Sequence, residues 1–204
     1  SAASDVYKRQ AINGEAAVYF SNKVKSISGG DVQLRFHEPN ALVPSLEVWD
    51  AVKNGSVDAG YTTPGYHAGK IPAVSYFTAV PFGPGASEYH GWMEYGGGQQ
   101  LKDRIYGEYG LKALNCLTHA PETSGWFRKK INNVEELKGM KMRFFGLGAM
   151  VMSKLGVSTQ LLAGGDIYPA LEKGVIDATE FSMPTHDLSY GFYQLAKFNY
   201  FPGW

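Results

Sequence analysis

The sequence predicts an α/β fold built from two related βαβ lobes. The first observation is an internal repeat: residues 51–59 (AVKNGSVDA) parallel residues 170–178 (ALEKGVIDA), and a proline follows each copy, at Pro64 and Pro184. The second is that an alternating strand, a connection and a helix precede each copy in the same order. A single α/β sheet can also repeat a helix–glycine–strand joint, but the shared order favours two lobes. Ligands of such sheets bind beyond the carboxyl ends of the strands, here in the cleft between the lobes.

Hydrophobic periodicity gives the elements of the first half in order. Apolar residues in 11–28 recur at helical spacing, and Gly29 ends that helix. Residues 32–36 alternate apolar and polar side chains, which predicts a strand. Ser45 caps a predicted helix that ends at Gly55. The remaining predictions are a strand at 57–61, a Gly/Pro-rich connection, helices at 87–95 and 99–109, and strands at 111–117 and 126–130.

The second half repeats this logic, with helices predicted at 133–139, 147–155 and 166–174 and strands at 140–144 and 175–181. We expect lobe 1 to span residues 11–122 and lobe 2 to span residues 123–204. Residues 1–10 match nothing downstream and lack a signal-peptide pattern, so we interpret them as a scar that is not part of the fold. We expect truncation at both ends, with the first strand and the C-terminal return of lobe 1 missing and lobe 2 incomplete.

Composition narrows the classes of function. Of the 204 residues, 44% are hydrophobic and 19% are charged, which is typical of a globular protein with a core. Lys and Arg number 19, as do Asp and Glu, so the net charge is zero and nucleic acid is not an expected partner. No run of about 18 apolar residues predicts a membrane-spanning helix. The single cysteine, Cys116, allows no intramolecular disulfide.

Three charged residues are candidate ligand-binding groups. Arg143 lies on the polar face of its predicted strand, where its guanidinium could bind a carboxylate through two hydrogen bonds. The alternative is a surface arginine at the sheet edge. Glu180 closes a predicted strand, and Glu122 lies in a connecting loop. Two glutamates would repel a bound anion unless a hard cation such as Na⁺ or Ca²⁺ lies between them.

Two groups of residues bear on the hypothesis of an enzyme. Cys116 with His119 is the obvious nucleophile–base pair, but Cys116 falls within an apolar predicted strand, which favours a buried, inert thiol. Ser182 with His186 and Asp187 lacks the glycine pattern of a nucleophile elbow. The five histidines show no metal-binding spacing. We therefore expect no enzyme but a binding protein, with a small α/β enzyme using Cys116 or Ser182 as the alternative.

Short stretches along the chain occur in an order that is characteristic of one family. They are residues 28–30 (SGG), 49–52 (WDAV), 69–72 (GKIP), 80–84 (VPFGP), 125–129 (GWFRK), 137–143 (LKGMKMR), 164–168 (GGDIY), 174–178 (GVIDA), 191–193 (GFY) and 200–204 (YFPGW). In this order they resemble the solute-binding subunits of TRAP transporters, the DctP-like family. Within it, the chain is most similar to the branch that binds 2-oxo acids of the pyruvate type. The resemblance covers nearly everything from residue 11 onward.

The resemblance implies a two-lobed binding protein of the periplasm that closes on a small organic acid and delivers it to the TRAP membrane subunits. A homodimer is a further expectation. The resemblance also implies that Arg143 holds the substrate carboxylate, and that Glu122, Phe181 and Tyr66 contribute to the substrate site. A metal ion, Na⁺ or Ca²⁺, is expected to be held by the side chains of Glu122 and Glu180 and by the main-chain oxygen of Phe181.

The chain departs from the family pattern at two of these positions. Glu122 stands where the family has glutamine, and Phe181 stands where it has tryptophan. A second carboxylate could favour Ca²⁺ over Na⁺, because ligand charge raises the affinity for the ion of higher charge, or it could change the ligand class. A hydroxy acid and an aromatic acid are the alternatives to a 2-oxo acid. The sequence does not separate them, because the pocket walls come partly from segments outside this chain.

Overall fold

The computed structural model describes residues 2–4 and 12–203, and these form an α/β fold, as predicted. The helices are α1 (Asn13–Ile27), α2 (Val48–Lys53), α3 (Ala86–Tyr95), α4 (Gly98–Gly107), α5 (Gly146–Lys154), α6 (Gly164–Glu172) and α7 (Pro184–Tyr190). The strands are β1 (Ala2–Ser4), β2 (Ala59–Tyr61), β3 (Gly125–Phe127), β4 (Lys141–Arg143), β5 (Ser158–Gln160), β6 (Ala178–Thr179) and β7 (Phe198–Tyr200). Short 3₁₀ helices span Ser45–Glu47, Pro64–His67, Pro72–Phe77, Val134–Leu137 and Phe192–Gln194. Within the described residues, no helix is long and apolar enough to cross a membrane.

The chain divides into two compact units. The first consists of Ser1–Thr63 and Trp92–Thr118, and the second of Pro64–Gly91 and His119–Trp204. This division does not coincide with the predicted lobe boundary after residue 122. The reason is that the segment beginning at Pro64 packs within the second unit: a Cβ on Gly65 would overlap the Phe145 ring.

The first unit contains a two-stranded parallel sheet, in which β1 pairs with β2. Ala3 lies opposite Gly60 in this pair and is buried in a cluster with Val48, Ala51 and Val57. The exclusion of residues 1–10 from the fold, and the expectation that the first strand is missing, are therefore wrong for Ala2–Ser4. Alanines give a weak strand signal, so pairing with β2, rather than local propensity, determines β1. Residues 5–11 of that excluded segment lie outside the described residues.

The second unit contains a five-stranded mixed sheet in the order β5-β4-β6-β3-β7. β4 runs parallel to β5 and β6, whereas β3 runs antiparallel to β6 and β7. Successive side chains of a strand point to opposite faces, so Trp126 and Phe127 of β3 enter different hydrophobic clusters. The Phe127 cluster includes Met142, Phe144, Met152 and Ala178, and the Trp126 cluster includes Ile167, Leu171, Ile176 and Phe192.

The sequence repeat corresponds to a repeated helix cap. Gly55 and Gly174 have φ angles of 73° and 70°, the left-handed conformation that glycine adopts without a Cβ penalty. In both copies the glycine N–H bonds a carbonyl three residues back, Val52 or Leu171, at 3.0 Å. The following N–H bonds a carbonyl five residues back at 2.9 Å in each copy, which completes a Schellman motif. Each cap then leads into a strand, β2 or β6.

Two predicted strands differ from the structure. Residues 32–36 contribute a single bridge, between Phe36 and Ala2. Residues 111–117 form no strand, and within the described chain no segment pairs with them, so Leu114 is exposed. An apolar run forms a buried strand only where a sheet receives it, and no described strand pairs with this segment. Conversely, β5, β7, α7 and the 3₁₀ helices of 64–67 and 72–77 are elements that the sequence patterns do not predict.

Candidate functional site

The site is built where two parallel strands of the second unit end side by side. Arg143 is the last residue of β4 and lies opposite Thr179, the last residue of β6. The N–H of Glu180 donates to the Arg143 carbonyl at 3.0 Å, which extends the pairing by one residue. Because Met142 and Phe144 are both buried in one hydrophobic cluster, strand alternation places the Arg143 side chain on the other side. The predicted placement of Arg143 at a strand end is correct.

Arg143 is buried, with 1% of its surface exposed, so it is not a surface arginine. Its Nη1 donates to Glu180 Oε2 at 3.0 Å and to the Glu180 carbonyl at 2.7 Å, and its Nε donates to the Leu162 carbonyl at 3.2 Å. Among the described residues, Nη2 has no hydrogen-bond acceptor. The guanidinium carbon lies 5.4 Å from the centre of the Phe145 ring and 5.1 Å from that of Phe181, both within cation–π range.

Two carboxyl groups face this guanidinium. Glu180 is 2% exposed, and its Oε1 has no hydrogen-bond partner in the described part of the chain. Burial raises the pKa of Glu180, although Arg143 opposes that shift. Burial raises the pKa of Glu122 well above its usual range, and the neighbouring Glu180 carboxylate raises it further. Burial and the neighbouring carboxylate thus both disfavour a negative charge on Glu122.

The position of Glu122 is fixed by main-chain contacts of the two residues that follow it and by the approach of Gly203. The N–H of Thr123 donates to the Ser182 carbonyl at 3.0 Å, which ties the loop to the segment after β6. The N–H of Ser124 donates to the Tyr200 carbonyl at 2.9 Å, which ties it to the end of β7. Gly203 then approaches so closely that a Cβ there would collide with the Glu122 carbonyl oxygen. Glycine at 203 is thus required for this backbone contact.

A small cavity opens at these strand ends, within the second unit. The space at its mouth and interior together is about 280 Å³, which includes open solvent. The lining residues are Ala79, Pro81, Glu122, Thr123, Phe144, Phe145, Gly148 and Glu180.

The two predicted aromatic residues have different places. Phe181 lies against the Arg143 guanidinium and packs edge-on against Tyr190, with ring centres 4.8 Å apart. Tyr66 packs edge-on against Phe145, with ring centres 6.0 Å apart, and so adjoins the site through that ring. The structure therefore brings Arg143, Glu122, Glu180 and Phe181 together and places Tyr66 against Phe145.

Phe145 and Thr123 are site residues that the sequence reasoning misses. Phe145 directly follows the strand of Arg143, and the pair Phe144-Phe145 is a signal because only one of two successive side chains can enter the core. Thr123 is fully buried, lines the cavity and has a hydroxyl with no partner among the described residues. No local pattern distinguishes this threonine from others in loops.

The structure places the two candidate nucleophiles, Cys116 and Ser182, in different environments. Cys116 is exposed, so the expectation of a buried thiol within a strand is wrong; the strand at 111–117 does not form. Ser182 Oγ lies 2.9 Å from His186 Nδ1 and 3.3 Å from His119 Nδ1. Asp187 instead accepts a hydrogen bond from Trp126 Nε1 at 2.8 Å. The three side chains therefore do not form the Ser–His–Asp relay.

The donor set of the site fits a hard cation. Glu180 Oε1 is a buried carboxylate oxygen without a partner in the described chain, and the Glu180 carboxylate lies close enough to Glu122 to raise the pKa of Glu122. Hard cations take oxygen ligands of this kind. The described residues contain no group of three or more His, Cys, Asp and Glu side chains able to hold a metal. A cation here would therefore also need main-chain, hydroxyl or ligand oxygens.

Residues 3–203 match the profile of a family described as bacterial extracellular solute-binding protein, family 7, or DctP. The chain belongs to this family. Membership confirms the predicted resemblance and the extracellular localisation, and it sets aside the enzyme alternative because the family consists of transporter solute-binding receptors.

Three similar proteins are informative. The monocarboxylate 2-oxoacid-binding periplasmic protein of Nostoc sp. is 40% identical over 184 residues, which cover 90% of this chain and 50% of that protein. A TRAP periplasmic solute-binding protein from Pseudoalteromonas atlantica was solved with bound sodium and pyruvate. It is 36% identical with a TM-score of 0.95, and the match covers 100% of this chain and 61% of that protein. A TRAP solute-binding protein from Bordetella bronchiseptica is described as a mixed-occupancy dimer with calcium and picolinate. It is 36% identical with a TM-score of 0.96, and the match covers 99% of this chain and 60% of that protein.

The chain thus spans half the length of the curated relative and about three fifths of the two solved structures. Both solved structures share the fold of this chain, and both are described with a bound metal ion and a bound organic acid.

Proposed function

We propose that the protein is a periplasmic receptor that binds a small 2-oxo monocarboxylate such as pyruvate and delivers it to TRAP membrane subunits. The observation that carries the proposal is the buried Arg143, whose Nη2 has no acceptor among the described residues and whose guanidinium lies within cation–π range of two aromatic rings. The names of the Nostoc and Pseudoalteromonas relatives point to the same ligand class.

In this proposal, Arg143 binds the ligand carboxylate through its unoccupied donors, since a guanidinium matches the two oxygens of a carboxylate. Glu180 orients the guanidinium by accepting from Nη1, and Leu162 does so by accepting from Nε. Glu122, Glu180 and the main-chain oxygen of Phe181 are the proposed ligands of a metal ion, Na⁺ or Ca²⁺. The bound ion would supply the positive charge that lets an anionic ligand lie beside two glutamates.

The aromatic rings around the guanidinium define the walls of the proposed site. Phe145 and Phe181 are flat and apolar, so they accept a ligand with a short apolar tail or a planar ring. An aromatic acid is therefore the second candidate, supported by the picolinate that accompanies calcium in the Bordetella relative. A hydroxy acid presents the same carboxylate and one adjacent oxygen. Titration calorimetry with pyruvate, lactate and picolinate ranks the three classes.

The test of the anchor uses Arg143→Lys, which keeps the charge but loses the planar fork of donors. Pyruvate affinity should fall at least about tenfold, the loss expected for one charge-assisted hydrogen bond of about 1.5–3 kcal/mol. Arg35→Lys is the matched control, because Arg35 is exposed in the first unit. Circular dichroism of each variant checks that the fold is intact. A folded Arg143→Lys protein that binds pyruvate within twofold of the unchanged protein would refute the anchor role.

The proposal includes a homodimer, which is the state described for the Bordetella relative. Light scattering coupled to size exclusion tests this part: a mass of one chain across the micromolar range would exclude it.

A further inference from the structure

We infer that Gly65 and Gly148 determine how long an apolar tail the ligand can carry. Each glycine lies against a phenylalanine ring that lines the cavity, Gly65 against Phe145 and Gly148 against Phe144. This inference rests on the proposed function, because it concerns the tail of the same organic acid. It goes further by assigning two residues that set the specificity for that tail.

The lining of the cavity has a polar part and an apolar part. Glu122, Thr123 and Glu180 supply the polar part. A small organic acid has the same two parts, a charged head and an apolar tail. The head belongs with the polar groups, so the tail lies against the apolar part. The apolar lining residues are Ala79, Pro81, Phe144, Phe145 and Gly148.

The backbone does not require glycine at position 65 or 148. Neither residue has a left-handed φ angle, unlike Gly146, whose φ is 61°. Gly148 is the third residue of α5, where glycine is less favourable than alanine because it loses more conformational freedom on folding. The adjacent phenylalanine rings are therefore the feature of the structure that a side chain at these positions would disturb.

The Phe144 ring can give way only into the cavity. A Cβ on Gly148 would overlap Phe144 Cε1 and lie 3.2 Å from Cδ1. The main chain of Phe144 is held, because its N–H donates to the Gln160 carbonyl at 3.1 Å. On its other side the ring belongs to the cluster that contains Met152, and a close-packed core has no room for it. A methyl group at position 148 should therefore push this ring into the space for the tail.

The Phe145 ring is enclosed in a similar way. A Cβ on Gly65 would overlap Phe145 Cε2 and lie 2.6 Å from Cδ2. The main chain is held at the start of α5, where the Phe145 carbonyl accepts from the Ala149 N–H at 3.2 Å. The ring also contacts Tyr66, at 6.0 Å between ring centres, and the Arg143 guanidinium, at 5.4 Å. The cavity is again the open space into which the ring can turn.

The test is calorimetric titration with glyoxylate, pyruvate, 2-oxobutyrate, 2-oxopentanoate and 2-oxohexanoate, a series in which the tail lengthens one carbon at a time. Gly148→Ala and Gly65→Ala should each weaken binding of the longest acid that the unchanged protein binds. This loss should exceed the loss for glyoxylate at least about tenfold, because an apolar pocket discriminates against one methylene by about 10–200-fold. Gly91→Ala is the matched control and should keep every affinity, since Gly91 is exposed in the same unit and its added Cβ meets no atom within 4 Å.

Phe144→Leu tests the ring itself. The smaller side chain frees part of the cavity, so affinity for the first acid that the unchanged protein rejects should rise at least about tenfold. In the Gly148→Ala background, Phe144→Leu should restore binding of the longer acids. The readout is a ratio of affinities within one variant, which a general loss of stability does not move. Circular dichroism checks each fold, and Phe144→Leu decides alone if a glycine variant does not fold.

The outcomes separate this inference from the proposed function. Ratios in folded Gly148→Ala or Gly65→Ala that stay within about twofold of those of the unchanged protein would overturn the inference, as would an unchanged tail limit in Phe144→Leu. Either result would leave the receptor function standing, because the unchanged protein would still bind the acids. Failure of the unchanged protein to bind any acid of the series would refute the proposed function and the inference with it.

Discussion

Replacing Asp187 by asparagine should make the protein more stable at neutral pH. Asp187 is fully buried on α7, and its Oδ2 accepts a hydrogen bond from Trp126 Nε1 at 2.8 Å. Its Oδ1 has no partner among the described residues. Burial raises the pKa of Asp187 from 3.8 to about 8, although the Trp126 hydrogen bond opposes the shift. Asparagine keeps an acceptor for Trp126 and carries no charge to bury.

The magnitude follows from the proton that Asp187 takes up on folding. Below pH 3.8 the group is neutral in both states and has no effect on stability; as pH rises above 3.8, stability is lost progressively, until the loss is complete near pH 8. One pKa unit corresponds to about 1.36 kcal/mol, so Asp187 lowers the free energy of unfolding at pH 7 by at most roughly 4 kcal/mol. Asp187→Asn should therefore gain about 2–4 kcal/mol at pH 7, once relaxation of the site is allowed for, and almost nothing at pH 4.

The assay is urea unfolding of the chelator-treated protein at several values between pH 4 and pH 8. The free energies of unfolding of the unchanged protein and of Asp187→Asn should diverge as the pH rises, by up to about 1.4 kcal/mol per pH unit. Asp31→Asn, at an exposed position, serves as the control and should run parallel to the unchanged protein. If the curves of Asp187→Asn and the unchanged protein are parallel, or if the variant is less stable at pH 7, the raised pKa is wrong.

Three glycine substitutions test two close contacts and one left-handed backbone conformation. Gly203→Ala should displace the Glu122 carbonyl, because the new Cβ collides with it, and calorimetry should show weaker cation binding with the fold intact by circular dichroism. In Gly164→Ala the Cβ would lie 2.6 Å from Phe181 Cζ, so overpacking should lower the free energy of unfolding by about 1–3 kcal/mol; a loss below 0.5 kcal/mol would show that the ring moves freely. Gly174→Ala meets no atom within 4 Å but has φ at 70°, so urea unfolding should show a loss of about 1–2 kcal/mol from backbone strain alone, with ligand affinity unchanged.

Much of the fold could be predicted because its signals are local. The helices α1, α3, α4, α5 and α6 follow from apolar periodicity and glycine stops, which depend on residues within a few positions. The repeat around Gly55 and Gly174 predicts the same cap twice, and both caps form the same hydrogen bonds. β5 and β7 are different, because each is three residues long and exists through pairing with β4 or β3.

The candidate site divides in the same way. Strand alternation alone predicts that the side chain of Arg143 lies on the opposite face of the strand from those of Met142 and Phe144. The order of the motifs predicts the family. Alternation does not say whether the arginine is exposed. Its burial depends on Glu180, which is 37 residues further along the chain and reaches Arg143 because β4 and β6 are parallel neighbours.

The sequence by itself thus determined the α/β class, the repeated caps, the family and the strand end that carries Arg143, because period, glycine position and motif order are read along the chain. Only the tertiary structure decided that Thr123 and Glu180 keep buried oxygens without partners in the described chain, that Asp187 bonds Trp126 rather than a histidine, and that Cys116 is exposed. Those properties depend on which distant segments pack against each residue. The sequence around a residue does not show which distant residue will bond to it or cover it.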